Sequence, residues 1–199
     1  MNGWTRIMVG LTVCLLFPSS GWALDITTTN DPNALIGAIT GSAGTGITVT
    51  TATYTGHAEA SGIYTAGPQG IVDGALITSG KASIAVPPNS SGSSGFDQGG
   101  VGDSLCNALT APFPSYDASK LTVTFDLDAG YDGISLLFIF GSEEYPEWVK
   151  SSYNDVFGVY LNGVQVAFDA GGAPITINGP FFESDSVVVP PANGTEYDG

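Results

Sequence analysis

The chain has 199 residues, with 19 acids against four Lys/Arg and one His, for a formal net charge of −15. A polyanion of this kind repels phosphate, which excludes nucleic acid as a partner and disfavours adsorption to an anionic bilayer face. Only 12% of residues are charged while 43% are hydrophobic, so the chain is not a disordered acidic tail.

Residues 1–23 read as an export leader. Arg6 is followed by an apolar run over 7–17 and then by a cleavage region of small residues ending at Ala23. The run is too short to span a bilayer, which takes ~20 apolar residues, so no stable transmembrane helix is expected. Removal after Ala23 leaves Lys81, Lys120 and Lys150 as the remaining bases and Cys106 as the remaining cysteine. An intrachain disulfide is then impossible, and residues 24–199 are expected to fold as one domain on their own core.

Asp31-Pro32 combines a helix N-cap with a proline at the first helical position, and predicts one short helix over 32–39 ended by Gly41. Everything after it reads as strand and turn. Residues 47–54 are rich in Thr and β-branched side chains, and 61–64 and 70–78 suggest further strands. Residues 87–102 are Gly/Ser-rich and predict a long surface loop. Over 121–127 apolar and polar residues alternate, which places Leu121, Val123, Phe125 and Leu127 on one face. Residues 128–133 form a turn, and the nearly continuous apolar run 134–140 predicts a strand buried on both faces. Residues 155–162 alternate again, Asn162-Gly163 is a strong hairpin signal, and 164–168 is the returning strand. Residues 174–177 and 186–189 add two more. The expected fold is mainly β: an antiparallel β-sandwich or jelly roll with one short N-terminal helix.

The acids are unevenly placed. Residues 1–99 hold five of them and 100–199 the other fourteen, with seven between Asp126 and Asp155. Such crowding calls for a spread-out surface or a bridging cation, and carboxylate and carbonyl oxygens suit calcium. Glu143, Glu144, Asn154 and Asp155 are therefore candidate calcium ligands; the alternative is a solvated acidic loop. Residues 126–137 do not make an EF-hand, because Tyr131 and Leu137 stand where Gly and Glu are required. Glu143 and Glu144 would point to opposite faces if the strand continued through them. Paired carboxylates also hydrolyse glycosides, which keeps a carbohydrate hydrolase as an alternative function. Tyr145 and Trp148 are candidate ring platforms for a ligand, or else loop anchors. His57 is the single histidine, Ser142 lies outside a nucleophile-elbow pattern, and no phosphate-binding or dinucleotide fingerprint is present.

The stretch 138–148 (FIFGSEEYPEW), followed by 153–163 (YNDVFGVYLNG), resembles the choice-of-anchor L domain family, and residues 54–56, 62–64 and 70–80 are similar to that family's N-terminal part. The resemblance covers roughly residues 30–199 and marks Ser142, Glu143, Glu144, Tyr145, Asn154 and Asp155 as shared motif positions. It implies an exported bacterial β domain, extracellular or at the cell surface, with no established enzymatic activity. It also implies further strands beyond Gly199, so the chain reads as a truncated member. The expected function is non-catalytic adhesion or ligand binding, with an extracellular glycan or surface protein as partner; a purely structural matrix role is the remaining alternative.

Overall fold

The computed structural model describes residues 24–41, 45–88, 91, 94–145 and 148–183. The expected leader at 1–23 and the expected strand at 186–189 lie outside them. In chain order the elements are β1 (Asp25–Thr28), α1 (Pro32–Thr40), β2 (Ile47–Thr55), β3 (Ser61–Thr65), β4 (Asp73–Ile77), a 3-10 turn at Ala82–Ala85, α2 (Ser104–Thr110), β5 (Lys120–Leu127), β6 (Val156–Phe157), β7 (Tyr160–Leu161), β8 (Val164–Gln165), β9 (Ile175–Thr176) and α3 (Pro180–Glu183). The protein is mainly β, and every strand pairing among the described residues is antiparallel.

Helix α1 starts as the sequence dictates. The Asp31 carboxylate accepts a hydrogen bond from the Asn33 amide at 2.9 Å, and Pro32 occupies a position whose amide would have no partner. The helix packs on β4 and β2, and its Leu35 is fully buried. Strands β1, β3 and β4 form one sheet in the order β1-β3-β4. Strands β2 and β5 form a second, with a bulge between Val49 and Thr51. There the Thr50 hydroxyl donates to the Thr124 carbonyl at 3.0 Å, meeting an acceptor at the irregularity.

Beyond β5 the strands are short. Strand signals over 155–162 resolve into β6 and β7, separated at Gly158. A Cβ on Gly158 would lie 3.0 Å from both Leu109 of α2 and the Tyr160 ring, so the close approach of helix and strand depends on glycine here. Asn162 and Gly163 both take positive φ (51° and 79°) and join β7 to β8 in the expected hairpin. Strand β9 pairs with β6. Next to it Ile177, fully buried, packs with Tyr145 and Phe182, and Phe140 and Val149 complete this cluster.

Three expectations are corrected. Residues 134–140 are not a strand buried on both faces. They run without a ladder partner among the described residues, with Ile134, Leu137 and Ile139 at 52%, 77% and 44% exposure. An apolar run states what a segment can bury, whereas a strand also needs a neighbour to pair its amides, and none of the described segments supplies one. The described part of 87–102 is loop as expected, but the expectation of strand and turn throughout the rest of the chain fails just after it, at helix α2 (Ser104–Thr110). Its cap is Asp103, which accepts from the Leu105 amide at 2.8 Å and is ion-paired with Lys120 of β5. Strand β4 begins only at Asp73, because residues 67–72 make a turn closed by Gly67 N–H to the Val72 carbonyl (3.0 Å) and Ile71 N–H to the Pro68 carbonyl (3.1 Å).

Replacing Leu35 by Ala removes a fully buried side chain from between α1 and the sheets. We expect it to cost about 2–5 kcal/mol in chemical denaturation. A loss under ~1 kcal/mol would show that α1 is not part of the cooperative core.

Candidate functional site

The loop from residue 141 to 155 carries the motif residues and folds back so that its two ends meet. Ser142 is at the hinge of this closure. Its hydroxyl donates to Asp155 Oδ2 at 2.6 Å, and its oxygen accepts from the Glu144 amide at 3.0 Å. Glu144 Oε2 in turn accepts from the Asp155 amide at 3.0 Å. Further along, the Glu144 carbonyl accepts from the Trp148 amide (2.8 Å), and the Trp148 carbonyl from the Ser151 amide (2.9 Å). The bonds within 142–151 are local, while those from Asp155 to Ser142 and Glu144 close the loop on itself.

Two elements hold the loop from outside. The Asp155 carbonyl accepts from the amide of buried Ile177 at 3.0 Å. Asn154 Oδ1 accepts from the Asn178 amide at 2.9 Å, and the Asn178 side chain donates to the carbonyls of Ser151 (3.0 Å) and Tyr153 (3.3 Å). On the opposite side Glu143, nearly buried, accepts from the Ser94 amide at 3.2 Å and so ties the motif to the Gly/Ser-rich segment. Tyr145 is buried beside Phe182, with ring centroids 5.7 Å apart. Trp148 meets Tyr153 edge-on at 5.1 Å, and both rings are exposed.

The structure thus brings together Ser142, Glu144 and Asp155, with Asn154 beside them, and sends Glu143 to a different partner. Tyr145 is an anchor of the core; Trp148 reaches solvent. Asn178 and Ser94 were not singled out from the sequence. Asn178 sits in an Ile-Asn-Gly turn whose composition signals a bend but not a side chain reaching back across the loop.

For the calcium set, oxygens of Glu143, Glu144, Asn154 and Asp155 each already accept a hydrogen bond from the protein. Among the described residues no three His, Cys, Asp or Glu side chains are placed to hold a metal ion together. Cys106, a half-buried residue of α2, has its thiol pushed up by burial and by the charge of Asp103, with Lys120 opposing.

The electrostatics of the loop follow from its burial. Burial, and next the charge of Asp155, push the Glu144 carboxyl up to about 7, against the pull of the Asp155 amide. Burial also raises Asp155, opposed by the Ser142 hydroxyl. Between the ordinary glutamate range and pH 7 the folded loop therefore keeps a proton that the unfolded chain releases, so folding stability falls as pH rises across this window and levels off above it. Melting temperatures measured from pH 4.5 to 8 should show this decline. Glu144→Gln should flatten it; an unchanged slope in the variant would remove Glu144 as its source.

Groups bordering the same broad concavity include Glu143, Glu144, Asn154 and Asp155 together with the apolar residues of 134–140. Phe138, Phe140, Ile175 and Phe182 line a smaller adjoining pocket of about 230 Å³. What the arrangement offers a ligand is an apolar strip with carboxylates at its edge. No helix among the described residues is long and apolar enough to cross a membrane.

No curated protein and no solved structure matches the chain. The family profile of the choice-of-anchor L domain matches residues 25–178, a stretch that holds all the strand pairings of the described residues and the 141–155 loop. The chain belongs to the choice-of-anchor L domain family, a family of surface-associated bacterial proteins.

Proposed function

We propose that this protein is an exported, non-catalytic adhesion domain that binds a protein partner at the bacterial surface. One observation carries the reading: a contiguous apolar stretch, residues 134–140, is largely exposed beside the motif loop. Exposed apolar stretches of this length mark interaction sites on proteins that are otherwise soluble. The polar side chains of the motif support it from another direction. Ser142, Glu144 and Asp155 are bonded to one another and to their own loop's amides, an arrangement that shapes a surface.

Panels of immobilised surface proteins and glycans, probed with the full chain in calcium and in chelator, test this. Retention on protein ligands is expected. Leu137→Ser should weaken it about tenfold, as for an interface anchor, while Trp148→Ala leaves it unchanged. The converse pattern would assign contact to the exposed Trp148–Tyr153 pair and to a glycan. Retention only with calcium would assign the contact to an ion at the 143–155 acids. No retention on any panel would overturn the binding role and leave a structural one.

A second reading has its own support. Glu144, beside Asp155, keeps its proton to about pH 7, as a general acid must. Turnover of a panel glycan that is lost in Glu144→Gln, with binding retained, would replace adhesion by glycoside hydrolysis.

A further inference from the structure

Resting on the adhesion reading, we propose that the pocket between Phe138, Phe140, Phe182 and Asp169 binds an alkylammonium group, presented by a lysine side chain of the protein partner. The pocket holds about 230 Å³, and its walls are apolar apart from Asp169 and Thr176. Sites for whole small molecules run to ~300–1,000 Å³, so this one has room for a single side chain. Its rings are held in place from behind. Phe140 and Phe182 stand at 80° to one another with centroids 5.8 Å apart, which makes a corner. Phe157 packs on Phe138 at 4.7 Å and on Phe140 at 6.3 Å, Tyr145 packs on Phe182 at 5.7 Å, and neither Phe157 nor Tyr145 lines the pocket. Aromatic walls attract a cation and cover its methylene stem.

Asp169 decides which cation fits. Its Oδ1 accepts from the amides of Gly171 and Ala173, each at 2.8 Å, and its own amide donates to the Ala173 carbonyl at 2.9 Å. The turn therefore fixes the carboxylate at the pocket, while Oδ2 accepts no hydrogen bond from the described residues. One available oxygen suits a compact ammonium, whereas a guanidinium pairs best with both oxygens at once. No lining residue is basic, and Asp169 has no ion pair among the described residues. An aromatic pocket that ends on such a carboxylate is complementary in shape and charge to the stem and head of a lysine.

The probes are butylammonium, n-butanol and propylguanidinium, with the capped peptide acetyl-Gly-Lys-Gly-amide and its side-chain-acetylated form. Each is titrated into the full chain and read at the Ile175 methyl signals by NMR. Butylammonium should bind about tenfold tighter than n-butanol, with the gap narrowing in high salt, and at least about threefold tighter than propylguanidinium. The lysine peptide should bind, and acetylation should abolish its binding. Asp169→Asn keeps the Oδ1 acceptor and with it the turn, so its melting temperature should hold. It should erase the preference for the ammonium and leave the affinity for n-butanol unchanged. Equal affinity for ammonium and alcohol, tighter binding of the guanidinium, no shift at Ile175, or an Asp169→Asn chain that still prefers the ammonium overturns the proposal. Ammonium binding without lysine-peptide binding overturns lysine as the source and leaves the pocket to a free amine. A panel protein retained equally before and after acetylation of its lysines overturns this inference while adhesion stands; lysine-peptide binding with no panel protein retained sinks adhesion while the ammonium pocket stands.

Discussion

Burying a carboxyl group is unfavourable unless hydrogen bonds meet it, and the arrangement around Asp155 satisfies that constraint in a way that organises the second half of the molecule. Its side chain takes the Ser142 hydroxyl, its amide serves Glu144, and its carbonyl takes the amide of buried Ile177. Through one residue the end of the apolar run, the acidic turn and the approach to α3 are joined. Asn154 repeats the tie one position earlier through Asn178. The loop is therefore held by side chains rather than by regular pairing, and its neighbouring strands β6 and β9 need be only two residues long.

This explains why an acidic motif can sit at the margin of an apolar surface. The carboxyl groups are held in place by backbone amides and a hydroxyl, while burial still raises Glu144 and Asp155 above the ordinary carboxylate range. Their charge still extends into the concavity they border, because hydrogen bonding to neutral donors does not cancel it. The surface-associated family to which the chain belongs is consistent with such a face being presented outward.

Several elements were legible residue by residue. Asp31-Pro32 placed α1, alternation over 121–127 placed β5, and Asn162-Gly163 placed the hairpin. Each of these signals is local, so tertiary context had little to override. The run 134–140 misled because apolarity records a capacity for burial, while pairing is set by segments far away in sequence. Helix α2 was hidden because its Asp103 cap follows a Gly-rich stretch and its few residues show little periodicity. At the loop, the crowding of acids singled out Glu143, Glu144 and Asp155 as candidates. Their division of partners, with Glu143 on Ser94 and Glu144 on Asp155, depends on a backbone turn that composition does not encode.

The edge-on stacking of Trp148 on Tyr153 gives the molecule a built-in optical gauge. Beyond residue 23 the chain has a single indole, and it stands on the turn that Ser142 and Asp155 close. In a chain that starts at residue 24, its emission therefore reports the state of that turn with no extrinsic dye, undiluted by signal from any other tryptophan.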